Sequence, residues 1–287
     1  MRNPLFNLLQ KTYYAIGGHG LGRIKPLRWL YQLVFKFLRP RQVTVQGHLM
    51  RLDEKDTLEL GRKSVYEPLE TDLLKRELKS GQTFVDIGAN IGYYTLIAAR
   101  LVGPAGKVYA FEPDPDNFEL LKINVDLNGY TNVVLVNKAL AEKAKTTRLY
   151  LSESNRGDHR LYDSGDGRKF INVPVVSLDR FFKNLDKKIH FIKMDIQGAE
   201  AAALEGMKGL IRRNRGLKLV TEFQPEGLKR FGSDPAKYLQ TLKKLGFKLS
   251  EISEKEGVLR PANPVELMNR FALRKDEYTN LYCVKQS

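Results

Sequence analysis

Phe84-Val85-Asp86-Ile87-Gly88-Ala89-Asn90-Ile91-Gly92-Tyr93-Tyr94-Thr95 is the stretch on which the fold turns. An apolar strand runs into an acidic residue, then into two glycines four positions apart, then into a helical pattern. Glycine lets the backbone approach a ligand at such a turn, and the helix that follows presents unpaired N–H groups. The dinucleotide fingerprint G-x-G-x-x-G is absent. The next strand also ends in an acid, Glu112, in Phe111-Glu112-Pro113. At that place in a doubly wound sheet a carboxylate can accept two hydrogen bonds from ribose hydroxyls. The two acids and the glycine turn describe a nucleoside pocket that need not embrace a pyrophosphate. S-adenosylmethionine, with ribose and adenine but no phosphate, is such a ligand.

Outward from this stretch, strands and helices alternate. Strands are expected at Thr83–Ile87, Lys107–Phe111, Val133–Val136, His190–Met194, Leu217–Glu222, Phe247–Ile252 and Asn280–Lys285. Helical periods cover Thr71–Lys79, Tyr94–Leu101, Asn117–Asn128, Ala199 to about Arg212, and Pro235–Leu245. Such alternation implies parallel pairing and a sheet covered on both faces. Residues 143–179 break it. Thr147–Leu151 and Phe170–Val176 read as strands joined by a polar loop without a helix, an inserted hairpin with a long tip. Ser177 is placed to cap a short helix beginning at Leu178.

The chain has 287 residues and a net charge of +15. Nine basic residues and no acidic one precede Asp53, so most of the excess charge sits at the N-terminus. Residues 1–64 read as a basic, partly helical extension and 65–287 as the main domain. Leu27–Leu38 looks like a short helix ended by Arg39-Pro40 and suited to an anionic surface. No apolar run approaches the roughly 20 residues of a spanning helix, and no clean signal peptide is visible. The lone Cys283 excludes an intrachain disulfide and multi-thiolate metal centres. No set of metal ligands stands out, so no metal is assigned.

The stretch Val85–Thr95, the following Phe111-Glu112-Pro113-Asp114-Pro115 and the later Ile192-Lys193-Met194-Asp195-Ile196-Gln197-Gly198-Ala199-Glu200 together resemble the FkbM-type S-adenosylmethionine-dependent methyltransferases over about residues 66–225. The resemblance implies an α/β class I methyltransferase fold, Rossmann-like and doubly wound. Its mostly parallel seven-stranded sheet would have the last strand inserted antiparallel. It implies O-methylation of sugars or natural products. It assigns Asp86, Gly88, Asn90, Gly92 and Thr95 to the cofactor turn, Glu112 to the ribose, and Asn137 and Ala139 to the adenine. It places Asp195 opposite the sulfonium and the acceptor. One departure matters: the family commonly reads Asp-Val-Glu-Gly where this chain has Asp195-Ile196-Gln197-Gly198.

The chemistry needs a base, because a sugar hydroxyl loses its proton as the new bond forms. Asp195 is the first candidate, with His159 at the hairpin tip and Glu200 as the others. Asp158, His159, Arg160 and Glu222 are candidate acceptor contacts. The expected partners are a small-molecule or glycan acceptor and, through residues 1–41, an anionic membrane face, with the protein in the cytoplasm. The charge also suggests an RNA methyltransferase, but neither an Asn/Asp-Pro-Pro-aromatic motif nor a suitably placed cysteine supports it. A non-catalytic protein of this fold, bound to membrane or glycan, is the other alternative. The intact glycine turn and Glu112 argue against it.

Overall fold

The computed structural model describes residues 40–61, 63–185, 187–272 and 277–286. The helix expected at Leu27–Leu38, and with it most of the basic segment, lies outside the described residues. The chain divides into two compact units, Met1–Tyr66 and Glu67–Ser287. The described part of the first is a hairpin of β1 (Gln42–Val45) and β2 (His48–Arg51), turned at Gln46-Gly47 with φ of 51° and 76°. Two positive φ values in a two-residue loop match the right-handed strand twist. The sequence reading placed no strand there.

The second unit is built on an eight-stranded sheet. Its strands are β3 (Thr83–Ile87), β4 (Lys107–Phe111), β5 (Val133–Val136), β9 (Phe191–Met194), β10 (Lys218–Phe223), β11 (Phe247–Ser253), β12 (Val258–Pro261) and β13 (Thr279–Lys285), in the order β12-β11-β13-β10-β9-β3-β4-β5. The pairs from β5 to β10 are parallel, and β13 lies antiparallel between β10 and β11. The last strand is thus inserted antiparallel, as the resemblance implies. The sheet has one strand more than the expected seven. Gly257, at φ 68°, lets the chain fold back from β11, with its N–H donating to Ser253 O at 2.8 Å. The returning β12 is an edge strand that ends at Pro261, where a proline removes no needed donor.

Helices follow most strands: α1 (Pro68–Glu77), α2 (Tyr93–Val102), α3 (Pro115–Leu127), α4 (Leu178–Phe181), α5 (Glu200–Glu205), α6 (Lys208–Arg213), α7 (Pro225–Arg230), α8 (Pro235–Lys244) and α9 (Pro264–Ala272). The single helix expected from Ala199 is broken into α5 and α6. Gly206 passes against Ala141, where a Cβ would lie 2.3 Å from the carbonyl oxygen. The Asp179 carboxylate then accepts Gly209 N at 2.9 Å and starts the second piece. The insertion is a separate three-stranded sheet. β7 (Lys145–Tyr150) pairs antiparallel with β8 (Phe170–Val176), and the two-residue β6 (Ala139–Leu140) runs parallel to β8.

Strand register sorts the chemistry onto one face. Asp86 sits opposite Lys193, Lys193 opposite Val220, and Glu222 opposite Asn280. All of these positions point to one side, because alternate residues share a face. On the other side Val85, Ile87, Ile192, Met194, Leu219, Phe223 and Leu281 join Met207, Leu210, Leu228 and Leu239 in the main apolar core. Each such fully buried aliphatic side chain contributes about 1.5–3 kcal/mol. One face therefore supplies much of the cohesion, and the other carries charged groups at the carboxyl ends of its strands.

Candidate active site

The glycine turn is tied to both neighbouring strands. Gly88, at φ +80°, donates to Phe111 O at 3.0 Å, and a Cβ on it would lie 2.0 Å from Asp195 O. Only a glycine lets the β3 turn and the end of β9 come this close. Asn90 continues the turn at φ 50°, and its N–H donates to Glu112 Oε2 at 2.8 Å. The other oxygen of Glu112 accepts Asp114 N at 3.0 Å. Burial pushes the Glu112 carboxyl up to about 8, against the pull of these two N–H donors.

A crevice open to solvent lies beside this turn. Gly88, Asn90 and Glu112 form one wall, and Pro113, Ala139, Leu140, Leu149 and Leu161 form an apolar one. Arg156, Gly157 and His159 bring the hairpin tip onto it. The tip is docked on the start of α3: Arg156 pairs with Asp116 at 3.1 Å, and Asn117 Nδ2 donates to Arg156 O at 3.1 Å. His159 Nδ1 accepts Ser152 N at 3.0 Å, so the proton of the neutral ring sits on Nε2, 3.9 Å from Asp114 Oδ2. Burial lowers the His159 pKa; Asp114 pulls the other way, while Arg156 and Arg168 add to the lowering.

At the far end the crevice reaches Asp195, Ile196 and Gln197. Asp195 is 28% exposed, whereas Lys193 beside it is buried. Its Oδ1 accepts Gln197 Nε2 at 2.8 Å, and its Oδ2 lies 3.6 Å from Lys193 Nζ. The same Gln197 nitrogen is 3.3 Å from each oxygen of Glu222. The Lys193 ammonium is 3.7 Å from Glu70 Oε1 and 4.6 Å from the Tyr94 ring centroid. Burial works against the Lys193 charge, but Glu70, Asp195, Glu67 and Asp86 hold it protonated. Burial pushes Glu70 up to about 8 and raises Glu67, Asp86 and Glu222 above the usual carboxylate range, Glu222 well above it. Among the described residues no group of three or more His, Cys, Asp or Glu side chains is arranged to hold a metal ion.

Of the residues singled out in the sequence, Gly88, Asn90, Glu112, Ala139, His159 and Asp195 line the crevice. The others lie behind it, and their contacts say why. Asp86 accepts Thr95 Oγ1 at 2.6 Å, so this pair braces the start of α2. Gly92 enters α2 in the left-handed region, φ 96°, which favours glycine. Asn137 donates to Glu112 O at 2.8 Å and fixes the end of β4. Asp158 is taken up by Arg160 and Arg168, both at 2.7 Å, which locks the loop rather than facing the crevice. Glu200 is fully buried and accepts Ile196 N and Gly198 N at 3.1 and 2.9 Å, a cap for the loop rather than a base. Glu222 is reached through Gln197. His159 has its Nδ1 lone pair taken by Ser152 N, so its neutral ring presents the Nε2 proton.

Sequence reasoning missed Glu67, Glu70, Tyr94 and Lys193. A lysine inside the otherwise apolar Phe191–Met194 was the available signal, because a charge in a buried strand needs partners. Glu67 and Glu70, ahead of α1 and in its first turn, carried none.

A family model described as "Methyltransferase FkbM domain" matches residues 86–249, more than half of the chain. "Probable cobalt-precorrin-6B C(15)-methyltransferase (decarboxylating)" of Sulfurisphaera tokodaii is 44% identical over 64 residues, 22% of this chain and 33% of that protein. "Protein-L-isoaspartate O-methyltransferase" of Methanococcoides burtonii is 40% identical over 65 residues, 23% and 31% of the two chains. The chain thus spans about a third of the length of the curated relatives it matches. Among solved structures, a SAM-dependent O-methyltransferase from Thermotoga maritima superposes with a TM-score of 0.44 at 14% identity, covering 90% of this chain and 82% of that one. A SAM-dependent methyltransferase from Aquifex aeolicus gives 0.44 at 16% identity, covering 82% and 99%.

Proposed function

This chain belongs to the FkbM methyltransferase family, and from that premise we propose that it methylates a hydroxyl oxygen of a sugar, glycolipid or related metabolite. S-adenosylmethionine, when bound, supplies a methyl group already activated on a sulfonium. The residues present fit such a donor. Glu112 uses one lone pair on each oxygen for the backbone and keeps others for a ribose diol. The apolar wall of Pro113, Ala139 and Leu140 suits a flat base, and the bare backbone at Gly88 leaves room beside Asp195.

The observation that carries the proposal is Asp195 at the crevice end, with one oxygen held by Gln197 and a buried cation behind it. Its carboxylate is placed to accept the proton of an acceptor hydroxyl. The protein's work is then alignment and exclusion of water. The isoaspartate enzyme named above acts on a protein by its name. A carboxylate acceptor in this chain would meet the Asp195 carboxylate, a like charge at the crevice end. A neutral hydroxyl meets a hydrogen-bond acceptor instead.

The test is labelled methyl transfer into fractionated lipid, polysaccharide and metabolite pools, with Asp195→Asn alongside. Label should enter a hydroxylated acceptor, and the variant should lose about 10²–10⁴-fold in rate while still binding S-adenosylhomocysteine. Normal turnover in the variant removes Asp195 from the chemistry. Among the described residues no helix is long and apolar enough to cross a membrane. The basic residues within 1–41 support peripheral contact with an anionic bilayer. Vesicle binding should then weaken with salt and disappear when the segment is deleted.

A further inference from the structure

Gln197 is the residue at which this chain departs from the motif it otherwise resembles. Its backbone is left-handed, φ 52°, where glutamine is uncommon and strained. Two neighbours enforce this. Gly198, φ 102°, runs so close to Gly227 that a Cβ would lie 2.7 Å from its backbone. Glu200 gathers the N–H groups of Ile196 and Gly198 from below. The side chain is thereby aimed at two carboxyl groups, 2.8 Å from Asp195 and 3.3 Å from Glu222. A primary amide has two N–H bonds, one for each. Its oxygen would set acceptor against acceptor, so the nitrogen is the end that fits.

Resting on the assignment of Asp195 as base, we propose that Gln197 is its positioning residue: one side-chain amide ties Asp195 to Glu222 and fixes the orientation in which Asp195 meets the acceptor hydroxyl. A glutamate at this position would bring a third carboxylate against the other two and remove the donor. A glutamine couples the pair without adding charge, which suits a site that must hold one base ready beside a second, more deeply buried acid.

The coupling is measurable at Glu222 without an acceptor. Several groups face Glu222: Asp195 and Lys193 from the β9 end, Glu200 from α5, Glu67 ahead of α1, Tyr238 from α8 and Tyr278 ahead of β13. The experiment is a carboxyl ¹³C NMR titration of the full chain labelled at glutamate, with the Glu222 signal identified by E222Q. In Q197M the ionised form loses its N–H donor, and in the isosteric Q197E it gains a like charge. Both should move the Glu222 midpoint upward by a pH unit or more, a tenfold change in proton affinity, with Q197E moving further. A midpoint unchanged in both folded variants overturns the proposal. The titration needs no ligand. Failure of the wild-type chain to bind S-adenosylhomocysteine would instead refute the proposed function, and the Glu222 shift would still stand as proof of the tie.

Discussion

Replacing Glu112 by Gln tests the cofactor pocket at its most constrained point. The carboxylate accepts Asn90 N at 2.8 Å with one oxygen and Asp114 N at 3.0 Å with the other, and it is 5% exposed. A carboxylate has about four lone-pair sites, so two remain for a ribose diol. The amide of glutamine keeps one accepting oxygen and turns an NH₂ toward one of the two backbone donors. Two losses follow. One buried N–H is left facing another donor, costing about 1–3 kcal/mol of stability. One charge-assisted bond to the ribose disappears, and at about 1.5–3 kcal/mol this weakens binding roughly 10- to 150-fold. Calorimetric titration with S-adenosylhomocysteine reads the second loss, and thermal unfolding without ligand reads the first. Because burial holds Glu112 at about 8 in the free protein, ionising it to accept the diol releases a proton. Wild-type binding enthalpy near pH 7 should therefore vary with the ionisation enthalpy of the buffer, and that dependence should vanish in the variant. If folded E112Q binds with wild-type affinity, the nucleoside does not sit on this carboxylate.

Gly88→Ala should cost several kcal/mol, since it adds about 1–2 kcal/mol of left-handed strain to a Cβ placed 2.0 Å from Asp195 O; denaturant unfolding measures it, and a loss under 1 kcal/mol would contradict the close approach. Lys193→Met removes the cation between Glu70 and Asp195, and losing one partner of a buried pair costs about 3–5 kcal/mol. That loss should be greater at pH 9 than at pH 6, where the carboxyls left behind can protonate; equal losses would refute the pairing. Glu70 and Glu112 both titrate at about 8 when folded, against a usual value near 4.5. The folded state therefore binds more protons between those values, and these two groups make stability fall as pH rises from about 5 to 8, by at most roughly 1.4 kcal/mol per pH unit each. Their contribution is complete below about 4.5, and a ligand-free melting temperature that rises from pH 6 to 8 would argue against it.

The legible parts of this chain are those in which local sequence and global position say the same thing. The strand into Gly88, the acid at Glu112 and the strand Val133–Val136 are set by apolar runs ending in turn residues, and they lie where the pattern places them. Ser177 caps its helix, accepting Arg180 N at 3.4 Å. The illegible parts depend on contacts distant in sequence. Nothing near Gly206 says that Ala141 will press on it and divide a helix. Nothing near Glu200 says that its carboxylate will be consumed by its own loop. His159 looked like a base because its type suggests one, but the bond from Ser152 N decides which nitrogen is free. Spacing can place a titratable group near a site. Only the hydrogen-bond partners say whether it has a lone pair to offer.

The same consideration separates Asp195 from the acids around it. Asp86, Glu70, Glu200 and Glu222 are all buried carboxyls close to the crevice, and a search by residue type cannot rank them. Asp86 is bound to Thr95, Glu70 to Asn280 and Glu200 to backbone N–H groups. Glu222 lies behind Gln197, whose amide nitrogen is 3.3 Å from both its oxygens. Asp195 is the one that the crevice reaches, with a cation 3.6 Å behind it. That follows from register: β9 ends at Met194 opposite Ile87, and Asp195, the next residue, donates its N–H to Ile87 O at 3.0 Å beside the glycine turn, while Lys193, two residues earlier on the same face, stays inside among the acids. A two-residue period thus puts a buried positive charge under an accessible negative one. The Gly88 turn lets the strand end come close enough for both to serve one pocket. Moving the lysine by one residue would turn it into the apolar face and leave the acids without their cation, so the site depends on the strand's phase as much as on its residue types.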